Sequence, residues 1–403
     1  IRNYFLLVLI LPIFLYSCKN GEKNEPENYV VLVSFDACRW DYPDLYDLTN
    51  FKKMGEDGVR AERVISSFPT KTFPNHYTLA TGLYPDHHGI VNNTFYAPDL
   101  DLLYRIGNRE MVQNPEFYGG EPIWNTAAKK GIKSASYFWV GSEAPIQGKQ
   151  PDIWKFYDGD ITFNARVDSI LNWLQLPVEK RPRLLLLYFQ EPDAISHDFG
   201  PVSEETGEKM KELDLVLKRL MDGIQALPYG DKVNIIVTAD HGMGAISPER
   251  YVNIIDGLQD DWLVEVTGSN PVYLIDATDG FEDSVVNHLS SIQGVKAWRK
   301  ENLPEHLHYG TNPRIPDIVV VADSSWSIGT DDDPSDYLGG AHGYDSRNTD
   351  MHNIFFAVGP AFKKGFVQPP FENVDIYPLV AHLLDLDAPE TDGDFEAVKG
   401  MLK

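Results

Sequence analysis

Hydrophobic runs and amphipathic stretches alternate along most of the chain. Residues 29–35 (YVVLVSF), 182–189 (PRLLLLYF) and 232–238 (KVNIIVT) are almost unbroken β-branched, aliphatic and aromatic runs, the pattern of strands covered on both faces. Shorter runs at 62–66, 132–139, 272–275, 317–321 and 353–358 read as further strands. Helical periodicity falls at 49–58, 75–81, 118–130, 163–176, 204–227, 281–292 and 374–384. Strands alternating with helices predict an α/β fold: a central, mostly parallel sheet flanked by helices on both faces. Between about 245 and 315 the pattern weakens, which suggests a small, less regular inserted lobe. The catalytic-sized unit then spans 29–390.

The polar residues at the ends of these runs change the picture from fold to chemistry. Asp36 ends the first buried run, and the carboxyl ends of parallel strands are where such sheets place their sites. After the run 182–189 come Asp193 and His197, four residues apart, so one helical turn points both at one ion. After 232–238 come Asp240 and His241, whose side chains converge only if the backbone bends at Gly242 and Gly244. His342 lies in the run Ala-His-Gly-Tyr-Asp. Each acid alone has a bland alternative as a helix cap or solvated loop residue. The stretch 68–93 brackets Thr72 between Pro69 and Pro74. This places Thr72 at the start of a helix that stops near Gly82, where free N–H groups and the helix dipole face its hydroxyl. Such a hydroxyl is either a cap or a nucleophile facing an anion. Three Asp and three His supply six N/O ligands, three for each of two zinc-like ions. The Asp-rich loop 331–340 lacks calcium-loop spacing, and no complete glycine-rich nucleotide loop occurs.

Composition narrows the partners. The 403 residues are 43% hydrophobic and 24% charged, which is globular, and the formal net charge is −25. That excludes nucleic acid held by a basic surface. It does not exclude a phosphate substrate, because bound cations reverse the sign locally. Arg2 with the apolar run 5–16 and Leu-Tyr-Ser-Cys at 15–18 reads as a signal peptide over 1–18, ending in a lipobox at Cys18. Residues 19–28 read as a tether. The expectation is a lipid-anchored protein of the bacterial cell envelope with no evident obligate protein partner. Cys38 then has no disulfide mate. Phe138, Trp139, Trp154, Phe156 and Tyr157 cluster in sequence, either as core or as a flat slot for a base.

The runs PTKTFPNHYTLATGLYP, EPDAISH, ADHGM and AHGYD resemble the nucleotide pyrophosphatase/phosphodiesterase family of the alkaline phosphatase superfamily. The likeness extends over about residues 30–386. It implies an alkaline-phosphatase-like fold and two Zn²⁺ per chain. It makes Thr72 the nucleophile and a zinc ligand. One zinc falls to Asp193, His197 and His342, the other to Asp36, Asp240 and His241. It gives Asn93 the phosphoryl oxygens, shared with the Thr72 or Phe73 amide, and gives Phe73, Trp139, Tyr157 and Lys71 to substrate, with Phe73 and Tyr157 as the nucleobase sandwich. The implied reaction cleaves nucleotide phosphodiester or pyrophosphate bonds through a covalent threonine adduct and releases a nucleoside 5′-monophosphate. Ala37 and Cys38 stand where the family usually has Gly-Phe, and Glu143 where it often has Asp. The alternatives are a phosphodiesterase or monoesterase acting on a choline lipid or other non-nucleotide, and a non-catalytic metal-stabilised surface lipoprotein.

Overall fold

A computed structural model describes residues 28–403 together with Ile1 and Pro26; Cys18, most of the tether and the apolar run lie outside the described residues. Eight strands form the large sheet in the order 366–368, 59–61, 355–358, 233–238, 29–35, 184–189, 134–137, 153–155. Tyr29–Phe35 sits centrally, parallel to both Leu184–Phe189 and Val233–Thr238. Only Phe355–Val358 runs antiparallel to its two neighbours. The sheet is thus mostly parallel, as the continuous apolar runs require.

Alternation along Tyr29–Phe35 sends successive side chains to opposite faces. Val30 and Leu32 join one core with Tyr77, Leu79, Trp124, Ile376 and Leu379. Val31, Val33 and Phe35 join the other with Phe51, Met54, Val167, Ile170, Leu213 and Leu217. Helices Thr72–Thr81, Ile123–Lys129 and Ile376–Leu383 therefore cover one face, and Thr49–Asp57, Phe163–Leu174 and Glu204–Gln225 the other. Leu184 to Leu187 are fully buried, each contributing about 1.5–3 kcal/mol of apolar transfer. The strand whose end carries the site loops is among the most firmly anchored in the molecule.

The lobe is more regular than its sequence suggests. Leu263–Ser269, Val272–Ala277, Ile318–Ala322 and Val295–Arg299 make a four-stranded antiparallel sheet, packed on Glu282–Ser290. The run expected as a strand at 317–321 is Ile318–Ala322, and it pairs inside this lobe rather than in the large sheet. Of the expected strand 62–66 only Val64–Ile65 is strand, paired with Phe371–Glu372, while Val59–Ala61, just before the expected range, joins the large sheet. No helix among the described residues is long and apolar enough to cross a membrane.

Candidate metal centre and aromatic slot

The site is assembled from loops at the carboxyl ends of the three central strands. Asp36 follows Phe35, Asp193 follows the strand ending at Phe189, and Asp240 follows that ending at Thr238. Asp193–Phe199 is helical, so Asp193 and His197 lie one turn apart with Nε2 and Oδ1 at 3.4 Å. The turn after Asp240 needs a glycine for lack of room: a Cβ on Gly242 would stand 2.1 Å from the Asp350 carbonyl oxygen. Gly244 has ordinary space and plays no such part. Thr72 opens the helix Thr72–Thr81, capped at its far end by left-handed Gly82.

The six acids and imidazoles form two groups, Asp193 with His197 and His342, and Asp36 with Asp240 and His241. Within each, ligand atoms lie within 4.8 Å of one another. Asp193 Oδ1 faces both His197 Nε2 and His342 Nε2 at 3.4 Å. His241 Nε2 lies 2.9 Å from Asp240 Oδ2 and 3.6 Å from Asp36 Oδ1. The second imidazole nitrogen shows what this means. Nδ1 of His197, His342 and His241 meets the carbonyl oxygens of Gly340, Thr70 and Gly242 at 2.8, 2.9 and 2.9 Å. A carbonyl only accepts, so each Nδ1 carries the proton and each neutral ring turns an Nε2 lone pair toward a carboxylate oxygen. Facing lone pairs repel unless a cation stands between them. Asp36 Oδ1, Asp193 Oδ1 and Asp240 Oδ2 are buried without hydrogen-bond partners, which is a high cost in a protein interior. Buried carboxylate oxygens, oriented imidazoles and backbone acceptors behind them are the donor set of zinc. The residues fit two such ions.

Electrostatics point the same way. Burial, reinforced by the Asp240 and Asp193 charges, holds the Asp36 carboxyl well above the ordinary range, against the Tyr188 hydroxyl that donates to its Oδ2 at 2.6 Å. Burial also opposes ionisation of Asp193 and Asp240, but positive charge on the facing imidazoles, the charge that a cation would supply between neutral rings, outweighs it and both carboxyls lie below the ordinary range. His342 is pushed well down by burial and by His241, whose ring stacks on it at 3.7 Å. His197, nearer solvent, is drawn up by Asp193 against its own burial.

Thr72 Oγ1 stands 3.3 Å from His241 Nε2. A cavity of about 400 Å³ has Asp36, Thr72 and Asp193 in its wall together with Phe73, Trp139 and Tyr157, so the metal cradle and the aromatic slot share a boundary. Phe73 and Tyr157 are partly exposed there. Trp139 is 1% exposed and its indole donates to the His76 carbonyl, so it backs the slot more than it walls it. Asn93 Oδ1 accepts from the Phe73 amide at 3.0 Å; this fixes the side chain beside Thr72 but leaves that amide committed. Lys71, expected at the substrate, does not line this cavity: its buried amine donates to the Asn270 carbonyl at 2.5 Å, tying the helix start to the lobe. Burial pushes its pKa down to about 7.

Several neighbours carry no sequence signal. Tyr188 holds Asp36 but sits inside an apolar run. His76 lies one turn beyond Thr72; its Nδ1 is 2.9 Å from the Thr72 carbonyl and 3.3 Å from Asp240 Oδ2, and its Nε2 meets Ser34 Oγ at 2.8 Å. Arg109 lines the slot from the short helix Arg109–Gln113, and Gln113 at the end of that helix donates to Glu143. A position four after Thr72 was the one hint available for His76.

The family model described as type I phosphodiesterase / nucleotide pyrophosphatase matches residues 30–345. The chain belongs to that family. It is 37% identical over 401 residues to venom phosphodiesterase 2 of Crotalus adamanteus, covering 96% of this chain and 48% of the relative. It is 34% identical over 398 residues to human ectonucleotide pyrophosphatase/phosphodiesterase family member 1, covering 96% and 43%. The chain thus spans about half the length of the curated relatives it matches. Among solved structures, murine ectonucleotide pyrophosphatase/phosphodiesterase 5, an inactive threonine-to-alanine variant in complex with AMP, superimposes with a TM-score of 0.88. It is 34% identical and covers 93% of this chain and all of that one.

Proposed function

We propose that this chain is a two-zinc hydrolase of nucleotide phosphodiester or pyrophosphate bonds, with Thr72 as nucleophile and a nucleoside 5′-monophosphate as product. One observation carries the reading: the Thr72 hydroxyl lies at the common border of two three-ligand cradles and an aromatic slot. Family membership and the AMP complex of the murine relative support it. Two zinc ions, when bound, supply positive charge against the attacking, departing and equatorial oxygens of a phosphoryl group.

The protein's own residues do the rest. Thr72 Oγ forms a bond to phosphorus as the bond to the leaving group breaks, and water later displaces the threonine oxygen. Two in-line displacements give net retention at phosphorus. Asn93, its Oδ1 held by the Phe73 amide, directs Nδ2 to a non-bridging oxygen. Phe73 and Tyr157 stack on the base. His76, between Asp240 and the Thr72 carbonyl, sets the first helical turn against the cradle. Thr72→Ala is expected to keep both zinc ions by metal analysis and to lower kcat on p-nitrophenyl thymidine monophosphate by at least a thousandfold; near-normal turnover in that variant overturns the assignment. The same assay with p-nitrophenyl phosphate and p-nitrophenyl phosphorylcholine separates nucleotide from monoester and choline-lipid chemistry.

We also infer a lipid anchor at Cys18 in a bacterial cell envelope, supported by the apolar run 5–16 and the Leu-Tyr-Ser-Cys that ends it. Release of a Cys18→Ala variant from the membrane fraction is the expected result.

A further inference from the structure

We propose that Arg109, positioned by Glu143, makes the slot select keto bases over amino bases: guanine over adenine, and uracil over cytosine. This rests on the reading above that the slot takes a nucleoside monophosphate group. With the phosphate at Thr72, the base lies between Phe73 and Tyr157, and the charged side chains left in the cavity wall, apart from Asp36 and Asp193, are Arg109 and Glu143.

Glu143 looks like the natural acceptor for an exocyclic amino group, but it is already engaged. Its side chain is 6% exposed. Oε1 accepts from the Tyr157 amide at 2.8 Å. Oε2 accepts from Arg109 Nη2 and from Gln113 Nε2, the latter at 3.2 Å. Three of its roughly four acceptor sites are filled. Arg109 is the reverse case. Among the described residues that single bond to Glu143 is its only hydrogen bond, and a guanidinium has five donors in a planar fork. Its side chain is 40% exposed, open to the cavity. The pair as a whole is neutral, so it presents donors without adding net charge. Gln190 also lines the cavity, directly after the strand ending at Phe189 and on the Asp193 side, and its Nε2 donates to the Gly159 carbonyl at 3.3 Å.

Donors at this position match O6 and N7 of guanine or O4 of uracil. They oppose the N6 amino group of adenine and the N4 amino group of cytosine, which leave donor facing donor. Glu143 therefore acts as a positioning residue, fixing the fork and, through the Tyr157 amide, one wall of the sandwich.

The test is equilibrium titration of the zinc-loaded protein with GMP, AMP, UMP and CMP. GMP over AMP and UMP over CMP by about tenfold is expected. Arg109→Leu should bring both ratios close to one, and Arg109→Lys, which keeps charge but loses the fork, should restore them only in part. Equal binding of the four, a preference for amino bases, or a preference that survives in Arg109→Leu overturns the proposal. Hydrolysis of bis(p-nitrophenyl) phosphate by the unmodified protein reads the hydrolase assignment separately. Absence of that turnover alongside a keto preference removes the reaction and leaves the base recognition standing.

Discussion

Replacing Asp36 by Asn is expected to make the metal-free protein more stable while removing its ability to be stabilised by zinc. Asp36 and Asp240 contribute oxygens to a set of atoms all within 4.8 Å of one another. Two unit charges at that separation, with an effective dielectric near 20, repel by about 3.5 kcal/mol. Asparagine is nearly isosteric and keeps an oxygen for the Tyr188 hydroxyl, but a neutral acceptor gives up about 1 kcal/mol relative to a carboxylate. The net gain is about 2 kcal/mol. Unfolding entropy near 2.1 cal/mol/K per residue gives a chain of this size about 0.8 kcal/mol per degree, so Tm rises by about 2–3 °C.

The sign with pH follows from Asp36 lying above its ordinary value. The folded, metal-free state holds the proton that the unfolded chain releases near pH 4, so stability falls as pH rises from there through the raised folded value. The gain in Asp36→Asn is therefore full above that window and vanishes below about pH 4. Scanning calorimetry on chelator-dialysed protein at pH 7.5, then with added zinc, makes the measurement. Zinc at a thousandfold excess over its Kd should raise the unsubstituted protein by about 4 kcal/mol per site and the variant by much less, so the order of stabilities reverses. A metal-free Asp36→Asn protein that melts lower than the parent, or one that gains as much from zinc, refutes the reasoning.

His197→Ala should lower bound zinc from two per chain to one, read by elemental analysis, and reduce activity by more than a hundredfold. Phe73→Ala and Tyr157→Ala should each raise KM for a nucleotide ester by about tenfold, consistent with 1–3 kcal/mol for stacking on a base, with a much smaller change in kcat. His88 is fully buried; its Nδ1 accepts from the Ile90 amide at 3.2 Å and its Nε2 meets the Pro74 carbonyl at 3.1 Å. Burial pushes its pKa down to about 3, so the neutral ring stabilises the fold above about pH 6.5 and that contribution drains away by about 1.4 kcal/mol per unit as pH falls toward 3. Denaturant titrations of His88→Gln should show a deficit at pH 7 that narrows steadily below pH 6; a constant deficit counts against this account.

The parts of the fold legible in the sequence are those where burial is two-sided. The three central strands and the helices at 49–57, 163–174 and 204–225 leave unmistakable periods because every residue, or every third and fourth, faces a core. Leu263–Ser269 and Val295–Arg299 escape notice because most of their residues are only partly buried, so polar and apolar positions mix. Phe366–Gln368 and Phe371–Glu372 have three and two residues, too few for any period. The helix expected over 118–130 runs only over Ile123–Lys129, since Gly120 is left-handed at φ 73° and Pro122 is extended.

The site divides along a related line. The candidate metal ligands are readable because acids and imidazoles just beyond apolar runs stand out together, although each alone has an ordinary structural use. The groups that orient those ligands are ordinary by type. Carbonyls of Thr70, Gly242 and Gly340 fix three imidazoles, and any residue supplies a carbonyl. Tyr188 differs from its core neighbours by one oxygen, yet that oxygen holds Asp36. Lys71 shows the limit from another side: the resemblance implies a substrate contact, and burial and the Asn270 carbonyl give its amine a structural task that the sequence does not display. A sequence thus displays which side chains could hold an ion, and packing alone displays which atoms aim them. The proposed nucleophile follows the same rule. Thr72 stands out in the sequence, but the turn around it is set by contacts with His76 and Asn93, and His76 in turn is held by Ser34 of the central strand Tyr29–Phe35.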